Sequence, residues 1–590
     1  MKHVSDYALI GDLHTAALVD RRGSIEWFCA PRFDASASFA ALLGDDDNGF
    51  WQIAPVEPIV SVERRYAGDT LVLETDFATR GGAVRVTDFM PTGRPLRTIV
   101  RIVEGLAGVV TCTTMMAPKM QYGLVAPRGR GESDGWALRA APHGLCLHAS
   151  VEFDHDGARS YATFAVSAGA RATFTLQAFD AHQPAPSAVD PIALLAQTRD
   201  WWTGWSARCA YAGERRDVVV RSAITLKALS YEPTGSFVAA VTTSLPERIG
   251  GSKNWDYRYC WLRDASFSVR ALLRLGYADE ARRWRDWFET VYVGAPEHLH
   301  VMYAVDGERL PQERTLPWLR GFADSRPVRV ANDAHDQFQL GVFGDVLTAF
   351  ERMQHAGIVF DAANWLTVES LMRHVERVWQ TPGSGIWETR DGGRQYVDSK
   401  VLAWVALERG LAIAARGGFA ADTARWRGLQ ERMHAQVCSA GYDPGRNTFT
   451  QYYGSQELDA SLLLMPLVGF LPADDPRVAG TIAAIERHLM EGDSVYRYSA
   501  DRVHAPEGGQ PDEGSFTMCG FWLVEAYALL GRIADARALF ERLVTLANDV
   551  GLFSEELDVA RGIAIGNVPQ AFSHVGAILA AHRLTECEAW

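Results

Sequence analysis

The chain has 590 residues, 48% of them hydrophobic and 22% charged, with a formal net charge of −14. That length exceeds one ordinary core, so two or more domains are expected, and the balance excludes extended disorder. The acidic charge argues against nucleic acid or an anionic membrane surface as a partner.

Asp6 and Asp12 interrupt the first apolar stretch, so no signal peptide is expected. No run approaches the ~18 apolar residues of a membrane span. Eight cysteines (29, 112, 146, 209, 260, 438, 519 and 587) are scattered singly, without zinc-ligand spacing. They read as buried thiols in a reducing compartment, and a cytoplasmic protein without metal or cofactor is expected.

Residues 1–190 read as β structure. Runs such as Thr70–Phe77 and Ala83–Phe89 flank Arg80-Gly-Gly, a hairpin signal. Further short runs at 97–103, 109–114 and 172–179 predict an N-terminal antiparallel β-sandwich. The Pro-rich stretch 184–191 then reads as a linker, and 191–215 as a connecting segment with a Trp-rich helix.

From 216 to 590 the periodicity becomes helical, with twelve candidates: 216–232, 264–276, 278–293, 334–355, 362–379, 398–416, 420–437, 459–470, 475–490, 516–531, 533–548 and 569–584. The even-numbered ones are the more apolar, as in Val401–Leu407 and Ala460–Met465. Alternating burial over twelve helices predicts six hairpins closed in a ring, an all-α (α/α)6 barrel following the sandwich.

In such a ring every odd-to-even loop opens at the same end. Those loops hold the chain's densest polar and aromatic clusters: Asn254–Asp264, Arg326–Asp333, Trp387-Glu388, Gln451–Tyr453, Arg497-Tyr498 with Asp512–Phe516, and Ser554–Glu556. The even-to-odd connections are short and bland. A binding face at one end follows.

Aromatic rings lie against the apolar faces of sugars, and forked polar groups hold their hydroxyls. Trp255, Tyr257, Trp261, Trp387 and Trp522 are candidate platforms, with Arg263 and Asp264 a candidate clamp on a terminal sugar. Glu388 and Glu555 are the candidate carboxylate pair for inverting glycoside hydrolysis, one protonating the leaving oxygen and the other activating water. Glu556 remains the alternative to Glu555. Trp404 and Phe572 read as core, and His335 and His574 as packing residues.

The Asn254–Asp264 segment, the Trp387-Glu388 loop and Ser554–Asp558 resemble the signature regions of glycoside hydrolase family 15, and Gly11–Asp34 resembles the β-domain opening of its trehalase-like branch. The resemblance implies Glu388 as general acid, Glu555 as general base, and Arg263 with Asp264 at the non-reducing-end glucose. Tyr257, Trp261, Trp387 and Arg497 fall in the same pocket. A small α-glucoside is the implied substrate, trehalose first. A glucoamylase or isomalto-oligosaccharide glucosidase is the close alternative. Raw starch is not expected, because no Ser/Thr-rich linker follows the twelfth helix. An inverting disaccharide phosphorylase needs no second carboxylate, so Glu555 favours hydrolysis; a non-catalytic sugar-binding protein would show no turnover. Nothing in the sequence specifies an oligomeric state.

Overall fold

A computed structural model describes residues 2–132, 134–390, 392–498 and 512–588. The first part of the chain is an antiparallel sheet domain whose strands follow the period-2 pattern. Arg159–Ser167, for example, alternates open and buried side chains along most of its length. In chain order the strands are β1 (Ala8–Gly11), β2 (Ala16–Val19), β3 (Ser24–Cys29), β4 (Ala37–Phe39), β5 (Phe50–Pro55), β6 (Ser61–Tyr66), β7 (Leu73–Ala78), β8 (Gly82–Phe89), β9 (Thr98–Ala117), β10 (Arg128–Glu132), β11 (Gly135–Ala140), β12 (His143–Ala149), β13 (Asp154–Asp156), β14 (Arg159–Ser167) and β15 (Arg171–Asp180).

The expected hairpin at Arg80-Gly-Gly joins β7 to β8. The separate strands expected at 97–103 and 109–114 are instead one strand of 20 residues, β9. Its first half pairs with β8 and β15, and its second half with β5 and β14. Gly105 and Gly108 lie where the partners change, and Gly108 takes a φ of 65°. The turn signal in the sequence therefore marks a bend within one strand rather than a break. Arg101 on β9 is fully buried with Asp88 of β8, its Nε 2.7 Å from Oδ1. It also donates to the carbonyls of Trp51 and Gly23 (2.7 Å each), tying β8 to β5 and to the turn before β3.

Fourteen α-helices lie among the described residues: α1 (Met120–Gly123), α2 (Pro191–Ser206), α3 (Arg216–Ala228), α4 (Leu262–Arg274), α5 (Ala278–Val291), α6 (Gly341–His355), α7 (Ala362–Val378), α8 (Val397–Gly417), α9 (Thr423–Ala440), α10 (Leu464–Leu467), α11 (Pro476–His488), α12 (Thr517–Leu529), α13 (Ile533–Leu543) and α14 (Ala571–Glu588). All twelve expected helical stretches carry helix, as α3 to α14. The more apolar set packs in sequence: α4 on α6, α6 on α8, α8 on α10, α10 on α12, α12 on α14, and α14 back on α4. In α12 every residue from Thr517 to Ala528 is buried, as a helix walled on all sides requires. Among the described residues no helix is long and apolar enough to cross a membrane. Trp590, the expected last residue of this part, lies outside the described residues.

Two helices differ from expectation. The stretch at 459–470 begins at Asp459, whose carboxylate accepts from Ser461 N at 2.8 Å, but it forms a 3-10 turn (Ala460–Leu463) before the short α10. Pro466 removes a backbone donor there, and Gly469 at φ 80° ends the run. The stretch expected from 334 becomes α-helical only at Gly341, because the Asn332 cap opens a 3-10 turn (Asp333–Asp336) and the chain then extends through Gln337.

The sheet and helical domains are stitched by buried polar contacts. Trp27 Nε1 donates to the Val241 carbonyl at 2.7 Å, and Arg64 Nε to Asp549 at 3.0 Å. Arg258, fully buried, pairs with Asp256 and donates to the Ala35 carbonyl (2.8 Å) and the Tyr122 hydroxyl (3.0 Å). Part of the Asn254–Asp264 segment is thus an anchor to the first domain. The remainder of that segment faces a pocket.

Candidate active site

The loops at one end of the helix ring enclose a cavity of about 690 Å³. Five of the six loop clusters expected to open there contribute lining residues; Ser554–Glu556 does not. Tyr257, Trp261, Arg263, Asp264, Trp387, Glu388 and Arg497 all border the cavity.

Glu388 is presented by a turn after Gly385, with its own backbone at φ 58°. A non-glycine residue is strained there, and such strain concentrates at functional positions. Its Oε1 accepts from Trp261 Nε1 (2.7 Å), Arg263 Nη1 (3.2 Å) and Gln339 Nε2 (3.2 Å). Gln337 Nε2 holds its carbonyl at 3.0 Å. The extended chain ahead of α6 therefore supplies two glutamines that fix this glutamate, which the helix expected from 334 concealed.

Arg263 also donates to the Ile386 carbonyl (2.8 Å) and pairs with Asp264 at 3.2 Å. Burial pushes the Asp264 carboxyl up to about 6, against the pull of Arg263. Arg263 Nε is buried without a hydrogen-bond partner beside the cavity that both residues line.

Glu555 is fully buried and does not border the cavity itself; Tyr257 connects it to the open space. The Tyr257 hydroxyl donates to Glu555 Oε1 at 2.5 Å, and the Asn567 N–H to Oε2 at 3.1 Å. Burial, then the nearby Glu247, raises the Glu555 carboxyl to about 8. A three-stranded antiparallel sheet of Ser515–Phe516, Glu556–Asp558 and Ile563–Ile565 holds the segment. Glu556 turns away from Tyr257: its Oε2 accepts from Gly514 N at 2.8 Å, and its Oε1 lies 3.4 Å from Arg497. Arg497 in turn donates to Glu247 (2.8 Å) and to both oxygens of Glu513 (2.9 and 2.8 Å).

The aromatic expectations divide. Tyr257 and Trp261 meet edge to face at 5.5 Å, and Trp387 donates from Nε1 to Asp459 at 2.8 Å. Trp522 is fully buried and does not border this cavity; it packs behind Trp387 at 6.0 Å and lines a separate cavity lined by the α4 and α14 arginines. It lies on α12, beyond the loop, where helical spacing turns it inward. Trp255 borders the cavity but carries the Arg329 and Arg390 guanidiniums over its ring, at 4.4 and 4.2 Å. Phe572, read as core, does border the cavity, whereas Trp404 does not. His574 is buried, accepting from Phe553 N, as a packing histidine does.

The family profile for glycosyl hydrolases family 15 matches residues 213–582, and the trehalase-like N-terminal profile matches residues 2–185. The chain belongs to glycosyl hydrolase family 15. It is a glycoside hydrolase by that membership. A trehalase from Thermoplasma volcanium is 34% identical over 98% of this chain and 93% of its own length. A trehalase from Mycobacterium tuberculosis is also 34% identical, over 99% of this chain and 90% of its own. A bacterial glucoamylase structure complexed with acarbose superposes with a TM-score of 0.75, covering 99% of this chain and 94% of that one. At 13% identity that likeness concerns the fold alone.

Beyond the pair expected from sequence, the site contains Glu247, Glu513, Gln337, Gln339 and Asn567. Glu247 sits in Leu245-Pro-Glu, without aromatic neighbours to single it out, and Gln337 and Gln339 fell inside an expected helix.

Proposed function

We propose that this chain is an inverting α-glucoside hydrolase acting on trehalose. The observation that carries the reading is the pairing of two differently held glutamates about one pocket. Glu388 faces the cavity within a fan of three donors. Glu555 sits back from it behind Tyr257, whose hydroxyl is bonded to its carboxylate and whose ring borders the pocket. In this reading Glu388 protonates the glycosidic oxygen as the C–O bond breaks. Glu555, ionised, takes a proton from the water that attacks the anomeric carbon from the opposite face. Tyr257 orients Glu555, and Arg263 with Asp264 clamps the non-reducing glucose. Trp261 and Trp387 wall the pocket, and Arg497 holds the acidic cluster.

Trehalose leads because the full-length relatives carrying that name match both domains. The same reading takes residues 1–190 as a β-sandwich, 191–215 as the connecting helix and 216–590 as an (α/α)6 barrel. β1 packing on β7 and β8, and the closed succession of α4 to α14, support it. A cytoplasmic location fits eight free cysteines, six of them buried. A phosphorylase is disfavoured, since phosphate would make Glu555 superfluous.

The test is glucose release from trehalose, maltose, isomaltose and soluble starch by the wild type and by Glu388→Gln. The wild type should turn over trehalose fastest without phosphate, and the variant should lose most turnover while remaining folded. A phosphate requirement with glucose 1-phosphate as product would overturn hydrolysis. An active Glu388→Gln would overturn the acid.

A further inference from the structure

Glu247 is unassigned in the mechanism above, yet its loop is bonded to the margins of the sheet that follows the base. Its carbonyl accepts from Gly514 N at 2.9 Å, and the neighbouring Pro246 carbonyl from Gly566 N at 2.8 Å. These bonds fasten the 245–254 loop to the residues flanking both outer strands of that sheet, whose middle strand follows Glu555 directly. Carboxylate oxygens of Glu247, Glu555 and Glu556 lie within 4.8 Å of one another, all three residues buried. Of the three, Glu247 alone borders the cavity.

The surrounding charges are few. Arg497 Nη2 donates to Glu247 Oε2 at 2.8 Å, and Lys253 Nζ to Glu513 at 2.6 Å. Tyr257 and Tyr498 face the cluster as neutral phenols, both held well above the ordinary range by burial. Arg329 is the next cation, but Glu313 takes its Nε at 3.0 Å. Four carboxyls (Glu247, Glu513, Glu555 and Glu556) therefore meet two cations, Arg497 and Lys253, while Asp512 stands at the edge, 4.0 Å from Lys253 and 3.5 Å from Arg248. Glu513 holds both cations and is drawn down to about 2, overcoming its burial. The remaining three cannot all ionise together in so dry a setting. Glu556, pushed well above its ordinary value by burial and by Glu247, keeps a proton.

We infer that Glu247 is a positioning residue for the base, sharing with Glu555 the proton that the base takes up in each turnover and passing it out to the pocket. The inference rests on the reading of Glu555 as base. In the attack, water gives one proton to Glu555 and its oxygen to the anomeric carbon, while the leaving oxygen takes the proton of Glu388. Glu555 is then neutral and sealed from solvent. The ionised Glu247, held by Arg497, accepts that proton through a single water, a separation of this size being bridged that way. Glu247 releases it to the pocket, and Glu388 regains one from pocket water. The balance closes as water plus disaccharide giving two monosaccharides.

The experiment is the pH dependence of kcat and KM on trehalose for Glu247→Gln and Glu247→Asp. Removing the like charge makes Glu555 a weaker base. The acidic limb of kcat should move down by about one pH unit or more, with kcat at least about tenfold lower and KM nearly unchanged. Glu247→Asp, which keeps the charge, should return the limb toward the wild-type position. A limb that stays in place while kcat falls, or an effect confined to KM, overturns the inference. Should Glu247→Gln fail to fold, a carboxyl-carbon NMR titration of glutamate-labelled wild type decides. Two glutamates titrating together above the ordinary range support the shared proton, and every glutamate titrating independently overturns it. Turnover retained by Glu555→Gln would instead remove the base itself, and with it the functional reading.

Discussion

Tyr257→Phe separates the hydroxyl that orients the base from the ring that shapes the pocket. The ring meets Trp261 edge to face at 5.5 Å, a contact that phenylalanine keeps, so the fold should survive. What is lost is the 2.5 Å hydrogen bond to Glu555 Oε1. A hydrogen bond to a charged group contributes about 1.5–3 kcal/mol, more than a neutral one. With each ~1.4 kcal/mol equal to tenfold, kcat should fall by about 10- to 150-fold. The bond favours the ionised carboxylate, so its loss raises the base further above its value of about 8. Activity needs that group ionised, and the acidic limb of kcat should therefore move to higher pH, opposite to the shift expected of Glu247→Gln. Glucose release from trehalose followed from pH 5 to 9 measures both effects. A full-rate enzyme with an unmoved limb would refute Tyr257 as the link between base and pocket.

Gly566→Ala should impair the base without touching it chemically. The glycine sits at φ 74°, and an added Cβ would lie 2.6 Å from Glu555 Oε2. A misplacement of about 1 Å can cost on the order of a hundredfold in rate, so kcat should drop steeply while circular dichroism stays native-like; an unchanged kcat would contradict the placement. Glu513 makes a pH prediction for stability. Its folded value of about 2 lies below the ordinary glutamate value, so it stabilises the fold above that ordinary value, and the contribution fades as pH falls toward about 2. The difference in Tm between wild type and Glu513→Gln should be largest near neutrality and close toward pH 2. A gap independent of pH would contradict the ion pairs with Arg497 and Lys253.

The helical half was legible because its period and its stops are local. Gly276, Gly357 and Gly531 follow α4, α6 and α12 with φ of 89°, 80° and 76°, and a left-handed residue ends a helix wherever it occurs. What misled was also local. The helical period was extended back to 334, whereas Asn332 caps a single 3-10 turn and the next residues stay extended, placing Gln337 and Gln339 on Glu388. Trp522 was misplaced because composition tells that a tryptophan is near a loop, while one more helical turn decides which side of the wall it faces. In the sheet domain β9 was expected as two strands, 97–103 and 109–114, since its pairing with β8, β15, β5 and β14 is non-local. The two glutamates proposed as acid and base stood out through aromatic and glycine neighbours. Glu247 did not, because its partners lie about 250 to 310 residues away in the chain and only folding assembles them.

The central claim is inversion by Glu388 and Glu555 at one glucosyl carbon of trehalose. Nascent products observed by proton NMR, before mutarotation, test it most directly. Inversion converts the attacked glucose to the β anomer and releases the other as α, so equal amounts of the two are predicted in the first spectra. Exclusive release of α-glucose would mean retention and would contradict the roles given to both carboxylates.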